Sequence, residues 1–543
     1  MVVGQAGEVN QPSGGATGGV VLATLAVGQF LMALDSSVMN VSIATVADDL
    51  GTDVTGVQTA ITLYTLVMAA FMITGGALGR RMGLRRAFAV GCVVYGIGST
   101  TTALAPNLGV LLFGWSLLEG LGAALILPAI VGLVAANFAA ADRPKAYGLV
   151  ASAAAMAIAI GPLVGGLVTT NWSWRYVFVG EVVLVVAVLV LARRFEDAPP
   201  DTTVAIDPIA TALSAVGLGL VVFAVLRSGI WGWVRPSATG PEWLGLSPVL
   251  WLLLGGLLVL RAFLAREAAK VERGETATLD PALFSVPQLR SGLVVFFFQF
   301  LVQAGAFFCI PLFLSVALGL SALDTGLRLL PLSLALLVAA AGIPRAWPAA
   351  SPRRVVGLGL GGLTVGLVIL VAALDLGAGA EIVTGPLVVL GLSIGAISSQ
   401  LGAVTVSAVP DERSGEVGGI QNTVTNLGAS VGTALAGSLL VAGLTTAFLG
   451  GLATNPDVPQ SVVDQAEVQL SAGAPFLSDA DLDQALRDAG VTGEVADDIL
   501  DANEAARLVG LRQALALLAV VSLVATGFAS RLPDRAPGAA AAA

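Results

Sequence analysis

Apolar runs of about twenty residues recur along this chain from end to end, and a run of that length can cross the hydrocarbon core of a bilayer as a helix. Only 11% of the 543 residues are charged, against about 25% in a typical soluble domain. A membrane β-barrel would show short alternating segments instead. The sequence therefore predicts an all-α membrane protein.

The apolar runs divide into fourteen predicted spans, joined by connections that differ in charge. Basic residues are concentrated in every second connection. The first two of these carry Arg80, Arg81, Arg85 and Arg86, then Arg143 and Lys145. The positive-inside rule places these connections in the cytoplasm. Both termini are then cytoplasmic, which agrees with an even number of spans.

The spans define five predicted segments. They are a disordered cytoplasmic tail (1–19), a six-helix bundle (20–194), a linker with helices seven and eight (195–275), a second six-helix bundle (276–530) and a cytoplasmic tail (531–543). The second bundle includes an external acidic loop, 450–505. In that loop, Ser478 precedes an acidic first turn and Gly490 follows the run, which predicts a short capped helix. A lid, a docking element and a plain solvated excursion remain open for the loop.

Several kinds of chemistry are missing from the sequence. It contains no histidine, so proton transfer has to use carboxylates. Cys92 and Cys309 lie in apolar runs and are expected to be buried thiols, not a disulfide. No phosphate-binding P-loop, metal-ligand cluster or nucleophile–base pair is apparent. We expect neither an enzyme nor a cofactor, metal or nucleic-acid partner, and no ATP-driven transport by this chain.

Three acids lie inside predicted spans. Asp35 and Glu119 each fall about ten residues, roughly 15 Å, from the outer end of the first and fourth spans. Glu181 lies in the sixth span. An ionised carboxylate at that depth costs several kcal/mol, so each acid must line a cavity, pair with a cation or carry a proton. We therefore predict a functional role for them.

Four motifs then point to a family. They are LDSSVMNVSIA (34–44), GPLVGG (161–166) followed by NWSWRYVF, GLSALDTGLRLLP, and VPDERSGEVGGIQNTVTNLGASVGTAL. In this order they resemble the fourteen-helix drug:proton antiporters of the major facilitator superfamily, the EmrB/QacA-like group. The resemblance covers about 20–449 and 506–530. It implies two six-helix bundles that rock around a midplane cavity, with helices seven and eight as a peripheral insertion.

The resemblance also assigns an antiporter motif to Gly161, Pro162, Gly165 and Gly166 in the fifth span. It implies a hinge there that suppresses proton leak. Small residues at this spacing also let two helices approach closely, so ordinary packing is the alternative interpretation.

The chain departs from the family at charged positions. The fourth-helix pattern R-x-x-Q-G has Ser116 for Arg and Glu119 for Gln, and Glu181 stands where the sixth helix normally has Asn. Glu119 and Glu181 either handle protons or bind a cationic substrate. The cytoplasmic loop motif is formed by Gly76, Arg80, Arg81, Gly83, Arg85 and Arg86. Arg80 replaces its usual Asp, which leaves the charge latch of that loop an open question.

The ninth span, FFFQFLVQAGAFF, places Gln299 and Gln303 on one helix face among Phe residues. An apolar wall with a few polar anchors suits lipophilic ligands, although simple helix contact explains the pattern equally well. The candidate substrate contacts are Asp35, Glu119, Trp115, Gln299, Gln303, Phe296, Phe307, Ser399 and Gln400. Asp324 and Arg328 are predicted to form a structural i, i+4 pair.

These features predict a proton-coupled exporter of a small amphiphilic substrate in a bacterial inner membrane, and the buried acids favour a cationic one. Asp35, Glu119 and Glu181 are the predicted proton-coupling residues. Two alternatives stay open. One is export of a lipid or siderophore-like metabolite on the same fold, and the other is a non-transporting receptor or scaffold that uses the external loop.

Overall fold

The computed structural model describes residues 16–52, 54–197, 200, 207–237, 240–375, 379–410, 413–454, 479–488 and 491–534. Within these residues the chain is helical and forms no strand beyond an isolated bridge between Trp243 and Leu246. The predicted all-α fold is confirmed.

The first bundle contains α1 (Ala16–Asp49), α2 (Val54–Met82), α3 (Leu84–Ala103), α4 (Leu108–Asn137), α5 (Arg143–Asn171) and α6 (Arg175–Ala192). Two further helices follow, α7 (Pro208–Trp231) and α8 (Pro248–Glu272). The second half contains α9 (Pro287–Ala317), α10 (Ala322–Ala346), α11 (Pro352–Ala373), α12 (Thr384–Val406), α13 (Ser414–Thr454), a short α14 (Asp479–Asp488) and α15 (Glu494–Ala529). The helices α4 and α9 contain π-helical segments, Leu112–Glu119 and Phe313–Ala317.

Twelve helices in the described residues are long and apolar enough to cross a membrane, so this is a multi-pass membrane protein. The helices α3 and α5, of 20 and 29 residues, are not among the twelve but pack in the same bundle. Both are rich in Gly, Ala, Ser and Thr, which are less hydrophobic than Leu or Val. The count of fourteen spans stays a prediction.

The helix starts follow from local sequence. Asp207 and Ser247 each accept a hydrogen bond from a backbone N–H of the first turn, and each is followed by Pro. A capping side chain followed by Pro satisfies or removes N–H groups that would otherwise lack partners. These caps fix where α7 and α8 begin.

The two largest hydrophobic cores lie mainly in the two halves of the chain, although the first also includes second-half residues such as Leu289 and Val417. In the first half α1 packs along α5, and in the second α9 packs along α13 and α10 along α12. The two extra helices, α7 and α8, pack on each other, and α7 also contacts α2 and α13. The predicted insertion between the halves thus touches both of them.

The two halves approach closely at one end, which we call the basic end because it carries Arg80, Arg143 and Arg413. A Cβ added to Gly148 would lie 2.9 Å from the carbonyl oxygen of Ala340, and one added to Gly418 would lie 2.7 Å from that of Pro128. Such distances are too short for a side chain. Glycine therefore lets α5 meet α10 and α13 meet α4 backbone to backbone.

The predicted external loop is partly described. The short helix predicted there is confirmed as α14, where Leu482 and Leu486 pack against the cluster of Phe448, Leu452 and Ile499 on α13 and α15. The predicted caps Ser478 and Gly490, and most of the two tails, lie outside the described residues.

The predicted ion pair between Asp324 and Arg328 is wrong. Asp324 instead accepts a hydrogen bond from the Ser321 hydroxyl at 2.7 Å, at the start of α10. The guanidinium of Arg328 lies 4.0 Å from the Glu381 carboxylate. Asp324 bonds to the N-cap residue of its own helix and Arg328 lies near an acid far away in sequence, and the i, i+4 rule considers neither partner.

Candidate functional site

Asp35, Glu119 and Glu181 converge inside the first bundle, from α1, α4 and α6. One carboxylate oxygen of each lies within 4.8 Å of the other two. The three side chains are buried, with exposed fractions of 1%, 0% and 1%. We call this group the acid triad.

Neutral donors from α3 and α4 surround the acid triad. The indole Nε1 of Trp115 donates to both Asp35 oxygens, at 2.8 and 3.0 Å. On α3, Tyr95 and Ser99 donate to Glu181 Oε2 at 3.2 and 3.1 Å, and Thr102 donates to Glu119 Oε1 at 3.2 Å. These donors leave Glu119 Oε2 and Glu181 Oε1 buried without a hydrogen bond among the described atoms.

No Lys or Arg of the described residues forms an ion pair with the acid triad. Buried charge of one sign with no counter-charge is unstable, so most of the three carboxylates must be neutralised. A hard cation takes oxygen ligands of this kind. The N–H of Trp115, however, is directed at both Asp35 oxygens and would oppose a metal there. The cluster fits bound protons better than a metal ion.

The π-helical segment Leu112–Glu119 carries both Trp115 and Glu119. It needs space beside α3, and two glycines provide it. A Cβ on Gly98 would lie 2.6 Å from Glu119 Cγ, and one on Gly114 would lie 2.8 Å from Thr102 Oγ1. Short π-helical segments occur frequently at functional sites. This segment was not predicted, because it depends on the packing of α3 against α4.

The donors on α3 were also missed by the sequence reasoning. Tyr95, Ser99 and Thr102 follow the i, i+4, i+7 spacing of one helix face. That polar face was the available signal.

Tyr64 of α2 covers the other side of Trp115. The two rings stack with centroids 5.1 Å apart and planes 3° apart, and Tyr64 is 2% exposed. One residue further along α4, Ser116 donates to the carbonyl oxygen of Ala60 at 2.8 Å. Ser116 occupies the place of the family's Arg and here joins α4 to α2.

The motif glycines of α5 lie against α1, next to Asp35. A Cβ on Gly161 would lie 2.1 Å from Ser37 Oγ, and one on Gly165 would lie 3.0 Å from Val38 Cγ1. The helix α5 continues without a break through Pro162 and Gly166. The motif therefore acts as a close helix contact in this conformation.

The candidate substrate residues of the second half are mostly packed. Gln299 donates to Ser398 at 3.1 Å, and Gln400 donates to Ser399 at 3.4 Å, within α12. The side-chain oxygens of Gln299 and Gln303 are buried without a hydrogen bond in the described residues. Two phenylalanines, Phe296 and Phe307, belong to the second core or pack against it. The structure thus joins α9 to α12 here and leaves two amide oxygens unpaired.

The loop motif between α2 and α3 forms a charged network at the basic end. Arg80 pairs with Glu416 of α13 at 3.2 Å and donates to the carbonyl oxygen of Thr278 at 2.9 Å. Arg413 binds Glu416 and also Asp280, at 3.0 and 3.1 Å. Burial lowers the pKa of Arg413, but Glu416 and Asp280 outweigh burial and raise it above its usual value. Arg80, which replaces the usual Asp of the loop motif, thus forms its ion pair with an acid of the other half.

Other motif residues shape the same loop. An added Cβ at Gly76 would lie 2.7 Å from the carbonyl oxygen of Gly415. Gly83 has a φ of 92°, a region that glycine adopts without strain. Asp197 accepts a hydrogen bond from the backbone N–H of Arg85 at 3.0 Å, whereas Arg81 and Arg86 are exposed.

The network continues to the two inserted helices. Glu267 of α8 accepts hydrogen bonds from the backbone N–H groups of Thr278 and Leu279. Lys270 binds Asp207 at 2.6 Å. Burial raises the pKa of Asp207, but hydrogen bonds from Lys270 and Arg266 hold it below its ordinary value. Acids at the basic end therefore have cationic or backbone partners.

At the opposite end, Asp49 of α1 binds Trp174 and Arg175 at the start of α6. The hydrogen bond from Arg175 lowers the pKa of Asp49 below its usual value. These contacts explain the W-R pair of the NWSWRYVF motif, which ties two helix ends together.

Apolar spanning helices in two packed halves, with acids buried at helix midpoints, define a polytopic membrane carrier. The sequence model of the Major Facilitator Superfamily matches residues 25–210 and 208–433. The chain belongs to this superfamily, which confirms the resemblance read from the motifs.

Similar proteins come from drug and antibiotic export. The multidrug efflux pump LfrA of Mycolicibacterium smegmatis is 29% identical over 509 residues, which cover 93% of this chain and 94% of LfrA. The tetracenomycin C resistance and export protein of Streptomyces glaucescens is 27% identical over 440 residues, covering 79% and 77%. The human organic anion transporter MFSD10 (TETRAN) has the same fold, with a TM-score of 0.57 at 11% identity over 94% of this chain and 98% of that one.

Proposed function

We propose that this protein exports small amphiphilic compounds from the cytoplasm in exchange for protons. The observation that carries the proposal is the acid triad, in which three buried carboxylates have neutral donors and no Lys or Arg partner among the described residues. Such a group changes its charge by taking up or losing protons. Names of similar proteins support the substrate class, since they describe multidrug, antibiotic and export functions.

The orientation in the membrane is part of the proposal. The basic end is the cytoplasmic end of a cell membrane protein with both termini inside. The halves meet there through Gly148 with Ala340 and through Arg80 with Glu416. These contacts close the cytoplasmic side in this conformation, and transport requires them to separate in another.

The substrate and the protons occupy different places in this mechanism. The acid triad is enclosed by α1, α3, α4 and α6 and has almost no exposed surface. We assign the triad to protons. We place the substrate against the second half, where the amide oxygens of Gln299 and Gln303 on α9 have no hydrogen bond among the described residues and lie near Phe side chains. The alternative, a cationic substrate on the acids themselves, requires a conformation that exposes them.

The test uses purified protein in liposomes loaded with fluorescent dyes or candidate antibiotics, under an imposed pH gradient. We expect gradient-dependent transport by the wild type and none by Asp35→Asn. Glu119→Gln restores the family residue and should keep transport with fewer protons moved per substrate. Wild-type transport that is indifferent to the gradient would refute proton coupling, and intact coupling in Glu119→Gln would remove Glu119 from the proton site.

Binding of a permanently charged cation to wild type and Glu119→Gln separates the two roles. Unchanged affinity supports the assignment of Glu119 to protons. A large loss of affinity for the cation, with neutral substrates unaffected, would favour the alternative that the acids bind substrate.

A further inference from the structure

We propose that Trp115 is the positioning residue that transmits the charge state of the acid triad to α2, the helix that contacts the second half. The proposal rests on the proton-coupled function above and names how that function reaches the interface. Trp115 touches no reacting proton itself, because an indole N–H donates and does not accept.

The bond between Trp115 and Asp35 depends on charge. The Nε1–H lies 2.8 and 3.0 Å from the two oxygens of one carboxylate, and both residues are buried. A hydrogen bond to an ionised acceptor is roughly twice as strong as one between neutral groups. When Asp35 gains a proton, one of these oxygens becomes a hydroxyl and the hydrogen bond from the indole N–H weakens. The position of the Trp115 ring thus depends on the proton.

The ring is in contact with α2 on its far side. Tyr64 lies parallel to it at 5.1 Å, and Ser116 fixes the adjoining turn of α4 to Ala60 of the same helix. Because both side chains of the stack are buried, a movement of the indole must be followed by Tyr64 or leave a void, which close packing disfavours.

Further along, α2 contacts the second half of the protein. Asn426 of α13 donates to the sulfur of Met72 at 3.6 Å. Gly76 approaches the Gly415 carbonyl, and Arg80 pairs with Glu416. Trp115 therefore lies between the acids and the helix that holds the two halves together.

The π-helical segment adds a second link. Trp115 and Glu119 are one turn apart on the same segment, so a change in its backbone displaces both. A π-helical turn is strained relative to an α-helix and is seldom extended. In this proposal the segment is the part of α4 whose backbone changes with the charge of the acid triad.

The variant Trp115→Phe tests the proposal, since it keeps a six-membered aromatic ring for Tyr64 and removes the N–H together with the rest of the pyrrole ring. We expect the pH of half-maximal transport to rise by about one unit, the size expected when a charged group loses one hydrogen bond. The KM for substrate under a saturating gradient should stay within about twofold, because Trp115 does not bind substrate.

The matched control is Trp174→Phe. Trp174 is also buried and also donates to an aspartate, Asp49 at 3.0 Å, but at the far end of α1. The pH profile of this variant should match that of the wild type. An equal shift in both variants would show general loosening of the bundle, and an unshifted Trp115→Phe would overturn the proposal. A wild type that ignores the gradient would instead refute the proposed function.

Tyr64→Leu provides an independent test, needed if Trp115→Phe does not fold. It removes the stack and leaves the Trp115 N–H on Asp35. We expect a lower kcat, because protons still bind but their charge no longer reaches α2. A wild-type kcat in Tyr64→Leu would overturn the transmission through this stack.

Discussion

Two regions of the molecule bury acids, and they treat them in opposite ways. In the acid triad, Asp35, Glu119 and Glu181 have hydroxyl and indole donors, and no cation pairs with them in the part of the chain that the structure describes. At the basic end, Glu416 is held by two arginines, Arg80 and Arg413. The carboxylate at the basic end pairs with two guanidiniums and holds helices together, whereas the acids of the triad have no such partner and can change their charge. The paired acid is structural, and the unpaired acids suit transport.

The largest effect that this contrast predicts is in Asp35→Asn. Proton-driven transport should fall to the level of liposomes without protein, because the amide of the new Asn side chain cannot take up or release a proton. The thermal unfolding temperature should stay the same or rise, because a buried acid without a cation has been replaced by a neutral group. Both are measured on the same preparation, by dye flux and by thermal unfolding in detergent. A marked fall in the unfolding temperature would show that Asp35 is structural, and the proposed difference between the acid triad and the basic end would then be wrong.

Glu416→Gln should show the opposite pattern. Removing one partner of a buried ion pair costs about 3 kcal/mol, because the remaining charges are left unpaired. We expect a clear loss of stability, and transport that remains dependent on the gradient in the protein that stays folded. The double variant with Arg80→Met should be more stable than the sum of the single changes predicts. Strict additivity would mean that Arg80 and Glu416 are not energetically coupled.

The two regions also differ in how far sequence reasoning reached them. Asp35, Glu119 and Glu181 were predicted because an acid in an apolar run is conspicuous, and their depth along each helix is simple arithmetic. The partner of Arg80 was not predicted, because Glu416 is far away in sequence and only the packing of α2 on α13 brings it close. Local rules failed where a distant partner competes, as Glu381 does for Arg328.

Within the acid triad, the prediction stopped at the acids themselves. Trp115 was expected to touch substrate, yet the structure buries it between Asp35 and Tyr64. The π-helical segment that positions it depends on glycines of two different helices, Gly98 and Gly114. No single helix carries that information, so no periodicity in one span reveals it.

Gly161→Ala should have a smaller effect than the changes above. The new methyl group would lie 2.1 Å from Ser37 Oγ, so α5 must move away from α1 beside Asp35. Overpacking of this kind typically costs about 1–3 kcal/mol. We expect a modest loss of stability together with slower transport or proton leak, measured as decay of an imposed pH gradient without substrate. Gly180→Ala on α6 is the matched control, since an added Cβ there meets nothing within 4 Å. Equal behaviour of the two variants would mean that the contact with α1 is unimportant.

The smallest effect is expected for Asp49→Asn, the acid paired with Arg175 at the opposite end from the charged network. Its side chain is 43% exposed, so the pair contributes less than about 1 kcal/mol. Because Arg175 lowers the pKa of Asp49 in the folded protein, the contribution is present at neutral pH and is lost as the pH falls below about 4. The unfolding temperatures of wild type and Asp49→Asn should therefore differ slightly at pH 7 and converge in acid. Transport at neutral pH should keep the wild-type dependence on the gradient, since this carboxylate is already charged and paired. A shifted pH profile in Asp49→Asn would mean that a paired acid also takes part in proton coupling, and the distinction between the two kinds of acid would then fail.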